Sequence, residues 1–230
     1  MVESSTGPAT ASPLQQALVG VAPERRLVGR NLSKADVLVY RVEGRRVAVK
    51  DYSARPFLAR HTVGRLLVGR ECRAYESAGA VPGLAAFLGR LGPLAMATAW
   101  IDAIPLSDLP PGTVSPELFD RLDAVIGGLH DRGVAMSDLH HRDVLVATDG
   151  GVHLVDLAMA FVLGPRPGWL RRRLFERLSA QDRLSAARMR ARFTGRSEVE
   201  LLATIDEATR RLWRAGRRIK RFWDRLRGRN

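Results

Sequence analysis

The stretch SDLHHRDVLVATDGGVHLVDLA, residues 137–158, holds four aspartates and three histidines. Asp149 opens Asp149-Gly150-Gly151, a turn sequence expected to join an apolar strand at Val144–Val146 to a second at Val152–Val155. Asp138, Asp143 and Asp156 instead fall at the ends of those strands, away from the turn. Ionised carboxylates gathered there repel one another unless a cation lies among them. They are therefore either scattered solvated charges or a set that holds a metal and does chemistry. His140 and His141 offer no zinc or iron site of their own, because adjacent loop histidines point apart and no third ligand follows at a suitable spacing.

The elements around these acids can be read from pattern. VLVYRVEGRRVAVKDY (37–52) is expected to form two strands joined at Glu43-Gly44. In the second, Ala48 and Lys50 share one face while Val47 and Val49 take the other. RLLVGRECRAYESAGA (65–80) is expected to be a helix with Leu67, Glu71, Tyr75 and Ala78 on one stripe. An unpaired carboxylate on that stripe would cost several kcal/mol, of order. Glu71 therefore needs a cation, either Lys50 or, at the edge of the stripe, Arg70 or Arg73. LGPLAMATAWIDAIPLSDLPPG (91–112) begins as a buried strand and ends in a Pro-rich connector suited to a domain boundary. The next helix is expected to open with Ser115 as N-cap and Pro116 at its first position, to bury Leu118, Leu122, Val125 and Leu129, and to stop at Gly133.

Composition bounds what the chain can be. Its 230 residues are 46% hydrophobic and 27% charged, enough for a sizeable core. One cysteine, Cys72, excludes an internal disulfide. MVESSTGPATASP lacks the apolar run of a secretory signal, and no stretch has the length of a membrane span, so a cytoplasmic location is expected. Residues 1–163 carry 17 Lys+Arg against 17 Asp+Glu, whereas residues 164–230 carry 20 against 7, which places the whole net charge of +13 in the last part of the chain. That imbalance suits an anionic partner or a solvated arginine-rich surface. Past Pro165 and Pro167 the chain reads as helical to its end. Ile205, Ala208, Leu212, Ala215, Ile219, Phe222 and Leu226 form an apolar stripe flanked by Trp213 and Trp223.

The ordered set "VAVK" (47–50), Glu71, "SDLHHRDVLV" (137–146) and "VDLA" (155–158) resembles the protein-kinase-like superfamily over roughly residues 27–163. "DLH" at 138–140 is similar to the aminoglycoside and choline kinases, and "LSKADVLVY" (32–40) resembles the Gly-poor phosphate loop of RIO-type kinases. With "DYSARP" after the lysine, the chain looks most like the compact bacterial RIO-like and lipopolysaccharide (Kdo/heptose) kinases. The resemblance implies an α+β, bilobal fold with a small β-rich N-lobe (23–101) and a helical C-lobe (102–204). A disordered tail (1–22) and a basic amphipathic helix (205–230) would complete the chain.

It also implies an ATP- and Mg²⁺-dependent kinase acting on a hydroxyl of a sugar, a lipid-linked glycan or a protein. Lys50 would hold the α- and β-phosphates, fixed by Glu71. Asp138 would be the base, and Asp143 and Asp156 the metal ligands. Ser33, Lys34, Ala35, Ala48, Ala99 and Ile101 would contact the nucleotide. Met136 replaces a usual histidine, Asp143 a usual asparagine, and Leu157-Ala158 the usual Phe-Gly. These departures support the alternative of a weak or inactive pseudokinase that binds a membrane or a partner. An anionic membrane surface at the inner face is among the expected partners. Nucleic acid is not, because no basic sheet or groove with exposed aromatics can be identified.

Overall fold

The computed structural model describes residues 12–29 and 34–195. Ser33 and the stripe expected over 205–226 lie outside the described residues. The described chain forms two compact units: residues up to Cys72 with Ala86–Trp100, and Arg73–Ala85 with residues from Ile101 onward.

The first unit begins with helix α1 (Pro13–Leu18), where Ser12 and Gln15 close a reciprocal capping box. Leu14 and Leu18 pack on the sheet beside Val47, Val49 and Ala97, and Gln15 Nε2 donates to the Leu91 carbonyl. The expectation of a disordered tail through residue 22 is thus corrected from Ser12 onward. A cap plus two apolar anchors is enough to hold this short helix on the sheet.

Strands β1 (Arg25–Leu27), β2 (Asp36–Val42) and β3 (Arg45–Asp51) follow, the last two joined at Glu43-Gly44 as expected. Both turn residues have positive φ, 49° and 78°, the conformation whose twist matches the paired strands. Helix α2 (Phe57–Ala59) runs through a π-helical turn at Arg60–Gly64 into α3 (Arg65–Ala78). Strands β4 (Phe87–Arg90) and β5 (Ala95–Ala99) complete an antiparallel sheet in the order β1-β2-β3-β5-β4.

The second unit holds β6 (Ala103–Pro105), α4 (Pro116–Asp131), β7 (Val134–Ala135), β8 (Val144–Ala147), β9 (Val152–Leu154), β10 (Phe161–Val162) and α5 (Trp169–Thr194). Helix α4 starts after Ser115, although that side chain makes no capping bond, and it buries Leu118, Leu122, Val125 and Leu129 together with Phe119 and Ile126. It stops at Arg132, where Gly133 turns left-handed (φ 71°) and donates to the His130 carbonyl. Helix α5 ends at Gly195, also left-handed, and the helical reading of the chain past it lies outside the described residues.

Strand β9, which leads into Asp156, is held on two sides. It pairs antiparallel with β8, and on its other side Leu154 N donates to the Gly83 carbonyl while Ala85 N donates to the Leu154 carbonyl. Gly83 has φ +85°, and a Cβ there would lie 2.3 Å from Val125 Cγ2 and 2.9 Å from the Val152 carbonyl oxygen. Gly83→Ala therefore combines backbone strain with overpacking. We expect a loss of roughly 1–3 kcal/mol or more, read as a lower urea midpoint at unchanged slope.

Candidate functional site

Lys50 lies near the end of β3, paired across to Val37 of β2 and Met96 of β5. Strand alternation buries Val47 and Val49 and leaves Ala48 and Lys50 half-buried on the other face. Glu71 lies on α3 between the buried Val68 and Tyr75 and is itself only 2% exposed. Lys50 Nζ donates to Glu71 Oε1 at 2.5 Å, so Lys50, one of the cations weighed from sequence, reaches this carboxylate. A charge-assisted bond of this kind fixes the amine at one place on the sheet.

A second network in the same unit was not read from the sequence. Asp36, at the start of β2, is buried and accepts from the Gly29 N–H and from the guanidinium groups of Arg26 and Arg55. Arg55 also donates to the carbonyls of Lys34 and Gly29. Gly29 sits so tightly in this arrangement that a Cβ would lie 2.5 Å from the Lys34 carbonyl and 2.6 Å from that of Ala35. The network thus joins the described residues on either side of Ser33, with Lys34 exposed and Ala35 half-buried. The only sequence signal was an acidic residue opening an apolar strand, and its partners follow no period.

Burial pushes the Asp36 carboxyl up, but the Gly29 N–H, Arg26 and Arg55 outweigh it and hold the group below its ordinary range. A carboxyl with a depressed folded pKa contributes stability that is full above the unfolded value of about 4 and lost as pH falls through the folded one. Acid titration of unfolding should show this loss, and Asp36→Asn should start less stable and show a shallower decline below about pH 4.

In the second unit, Asp138 is exposed, with His140 Nε2 3.1 Å from its Oδ1. His141 is turned elsewhere, its ring tilted against that of Phe193. Burial, then Arg192, Arg142 and His140, push its imidazole below the usual range and favour the neutral form. Asp143 accepts from the His140 N–H through Oδ2, and its carbonyl accepts from Val155 N at 3.0 Å, which sets the backbones of Asp143 and Asp156 side by side. Asp156 is left-handed (φ 69°), as is Ser137 (φ 67°), the residue before Asp138. Such conformations cost of order 1–3 kcal/mol each and persist only where surrounding contacts impose them.

One such contact is Asp182 of α5. It is fully buried and accepts from Met136 N at 2.8 Å, Ser137 N at 2.9 Å and, through the same oxygen as Met136, lies 3.0 Å from His130 Nε2. The Met136 side chain is buried, and its backbone N–H is held by Asp182 from α5. Asp182 went unnoticed in the sequence as one acid among the arginines of 164–230. Asp182→Ala would strand two amide donors, and we expect a loss of about 3–5 kcal/mol, measured by urea unfolding.

Among the described residues no three His, Cys, Asp or Glu side chains gather as a metal site. Asp143 and Asp156 remain as two hard oxygen donors on adjacent backbone. That set fits Mg²⁺, which keeps several waters and takes one or two carboxylates alongside substrate phosphates. Of the other residues expected at a nucleotide, Ala48 faces Val39 and Thr98 in the sheet, and Ala99 pairs with Val47 and donates to the Ala86 carbonyl. Ile101 is half-buried and its carbonyl accepts from Ala103 N.

No protein-family model matches the chain, and no curated protein matches it significantly. Among solved structures it is similar to the Rio2 kinase of Chaetomium thermophilum, determined as an ADP/Mg²⁺-phosphoaspartate complex, with 17% identity and a TM-score of 0.57. The match covers 86% of this chain and 66% of that one, so the chain spans just under two thirds of its length. The likeness is one of fold, and the fold is protein-kinase-like. No described helix is long and apolar enough to cross a membrane.

Proposed function

We propose that the chain is an ATP-dependent phosphotransferase acting on an alcohol acceptor. The single observation that carries this reading is the Lys50–Glu71 pair, in which a buried carboxylate holds an amine at 2.5 Å on the strand expected to meet phosphates. The likeness of fold to a kinase solved with ADP and Mg²⁺ supports it.

In this reading Lys50 places positive charge against the α- and β-phosphates. Asp143 and Asp156 would hold Mg²⁺, which when bound neutralises charge on the phosphate oxygens. Asp138 accepts the proton of the acceptor hydroxyl as its oxygen bonds to the γ-phosphorus and the bond to ADP breaks. His140, beside Asp138, keeps that carboxylate oriented. The acceptor is a sugar hydroxyl, as in a lipopolysaccharide-type glycan, or a protein serine or threonine. Met136 and the carboxylate of Asp143 support a second reading, a kinase-like module that binds nucleotide weakly and has little or no turnover.

Three variants decide between these readings. Lys50→Ala should weaken ATP binding by roughly ten- to a hundredfold, the worth of one charge-assisted bond. Asp138→Asn should lose turnover and keep Mg-ATP binding, because its role is exercised in the transition state. Asp156→Asn should lose metal-dependent binding as well. Labelled phosphate tracked from ATP into cell-envelope extract and into a generic protein substrate identifies the acceptor class. Wild-type protein that moves no label into either, and an Asp138→Asn variant indistinguishable from it, would establish the non-catalytic reading.

A further inference from the structure

Helix α5 has two unlike halves. From Ser179 onward it is packed into its unit through Ala180, Asp182, Leu184, Ala186, Met189, Ala191 and Phe193. Its first turns are not: every residue from Trp169 to Leu174 is exposed. Trp169 is 67%, Leu170 65% and Leu174 45% exposed, which leaves a large apolar surface in water where a core-directed helix would bury it.

The charges nearby are almost all of one sign. Residues 166–177 contain Arg166, Arg171, Arg172, Arg173 and Arg177 against Glu176 alone. Two of these arginines tie the helix down. Arg171 donates to the Val162 and Leu163 carbonyls and stacks on Phe161, and Arg172 donates to the Pro167 carbonyl. Arg173 and Arg177 follow Trp169 at steps of four and share its face with Leu170 and Leu174. The outward face therefore interleaves Trp169, Leu170 and Leu174 with the guanidinium groups of Arg173 and Arg177.

We propose that this face docks on an anionic lipid bilayer, independently of whether the chain transfers phosphate. Tryptophan sits at the headgroup level, the leucines enter the acyl boundary, and arginines reach back to lipid phosphates. Each basic residue near such a surface adds attraction that salt screens. A single-stranded nucleic acid fits less well, because Leu170 and Leu174 offer no plane on which a base could stack.

The test uses the full-length chain, so that residues 205–226 are present in every sample. Wild-type protein, Trp169→Ser/Leu170→Ser/Leu174→Ser and Arg173→Glu/Arg177→Glu are sedimented with phosphatidylcholine vesicles, with and without phosphatidylglycerol, over a range of salt. Wild type should bind only the anionic vesicles and release as salt rises, and each variant should bind them about tenfold or more weakly. Far-UV circular dichroism establishes folding, and the charge-reversal pair carries the test if the serine triple fails to fold. Wild-type affinity in the folded variants, or no vesicle binding by wild type, would overturn the proposal. So would binding to an RNA oligomer or an acidic protein in place of vesicles. ATP binding measured on the same samples keeps this outcome separate from that of the kinase reading.

Discussion

A carboxylate removed from water must keep a cation, and the first unit is arranged around that requirement. Glu71 occupies a position on α3 that an apolar side chain would fill at no electrostatic cost. Replacing such a pair by hydrophobic residues is often neutral or stabilising, whereas removing one partner is not. The pair is thus poorly explained as a device for stability. It makes better sense as a constraint: β3 and α3 must be in register for Lys50 to reach Glu71, and the amine is then fixed at one place on the sheet.

The second unit solves a related problem with backbone rather than side-chain charge. Ser137 and Asp156 are left-handed, a conformation that non-glycine residues adopt at a cost. The contacts that hold it come from both neighbours in the fold. Asp182 takes the amides of Met136 and Ser137, and β9, clamped between β8 and the Gly83–Ala85 segment, delivers Asp156 beside Asp143. A buried aspartate with several donors orders the backbone at Met136 and Ser137.

The acids that drew notice in the sequence and those that hold the structure together overlap only at Glu71. Asp138 and His140 are exposed. Asp36, Glu71 and Asp182 are buried, each with identified donors. Only Glu71 was legible in advance, because it interrupts an apolar stripe and so announces its need for a partner.

What the sequence by itself determined was local. Strand alternation and the Glu43-Gly44 and Asp149-Gly150-Gly151 turns defined both hairpins, Pro116 and Gly133 bounded α4, and the order of lysine, glutamate and aspartates pointed to the kinase-like fold. The hairpins and the bounds of α4 follow from periodicity or turn chemistry acting over a few residues, whereas the kinase-like fold was read from a resemblance in the order of motifs. Only the tertiary structure decided that Glu71 pairs with Lys50, that Asp36 gathers Arg26 and Arg55, and that Asp182 reaches Met136 from 46 residues away. Partners in a buried polar network are chosen by proximity in the folded chain, and an isolated aspartate carries no pattern that says which distant donor it will meet.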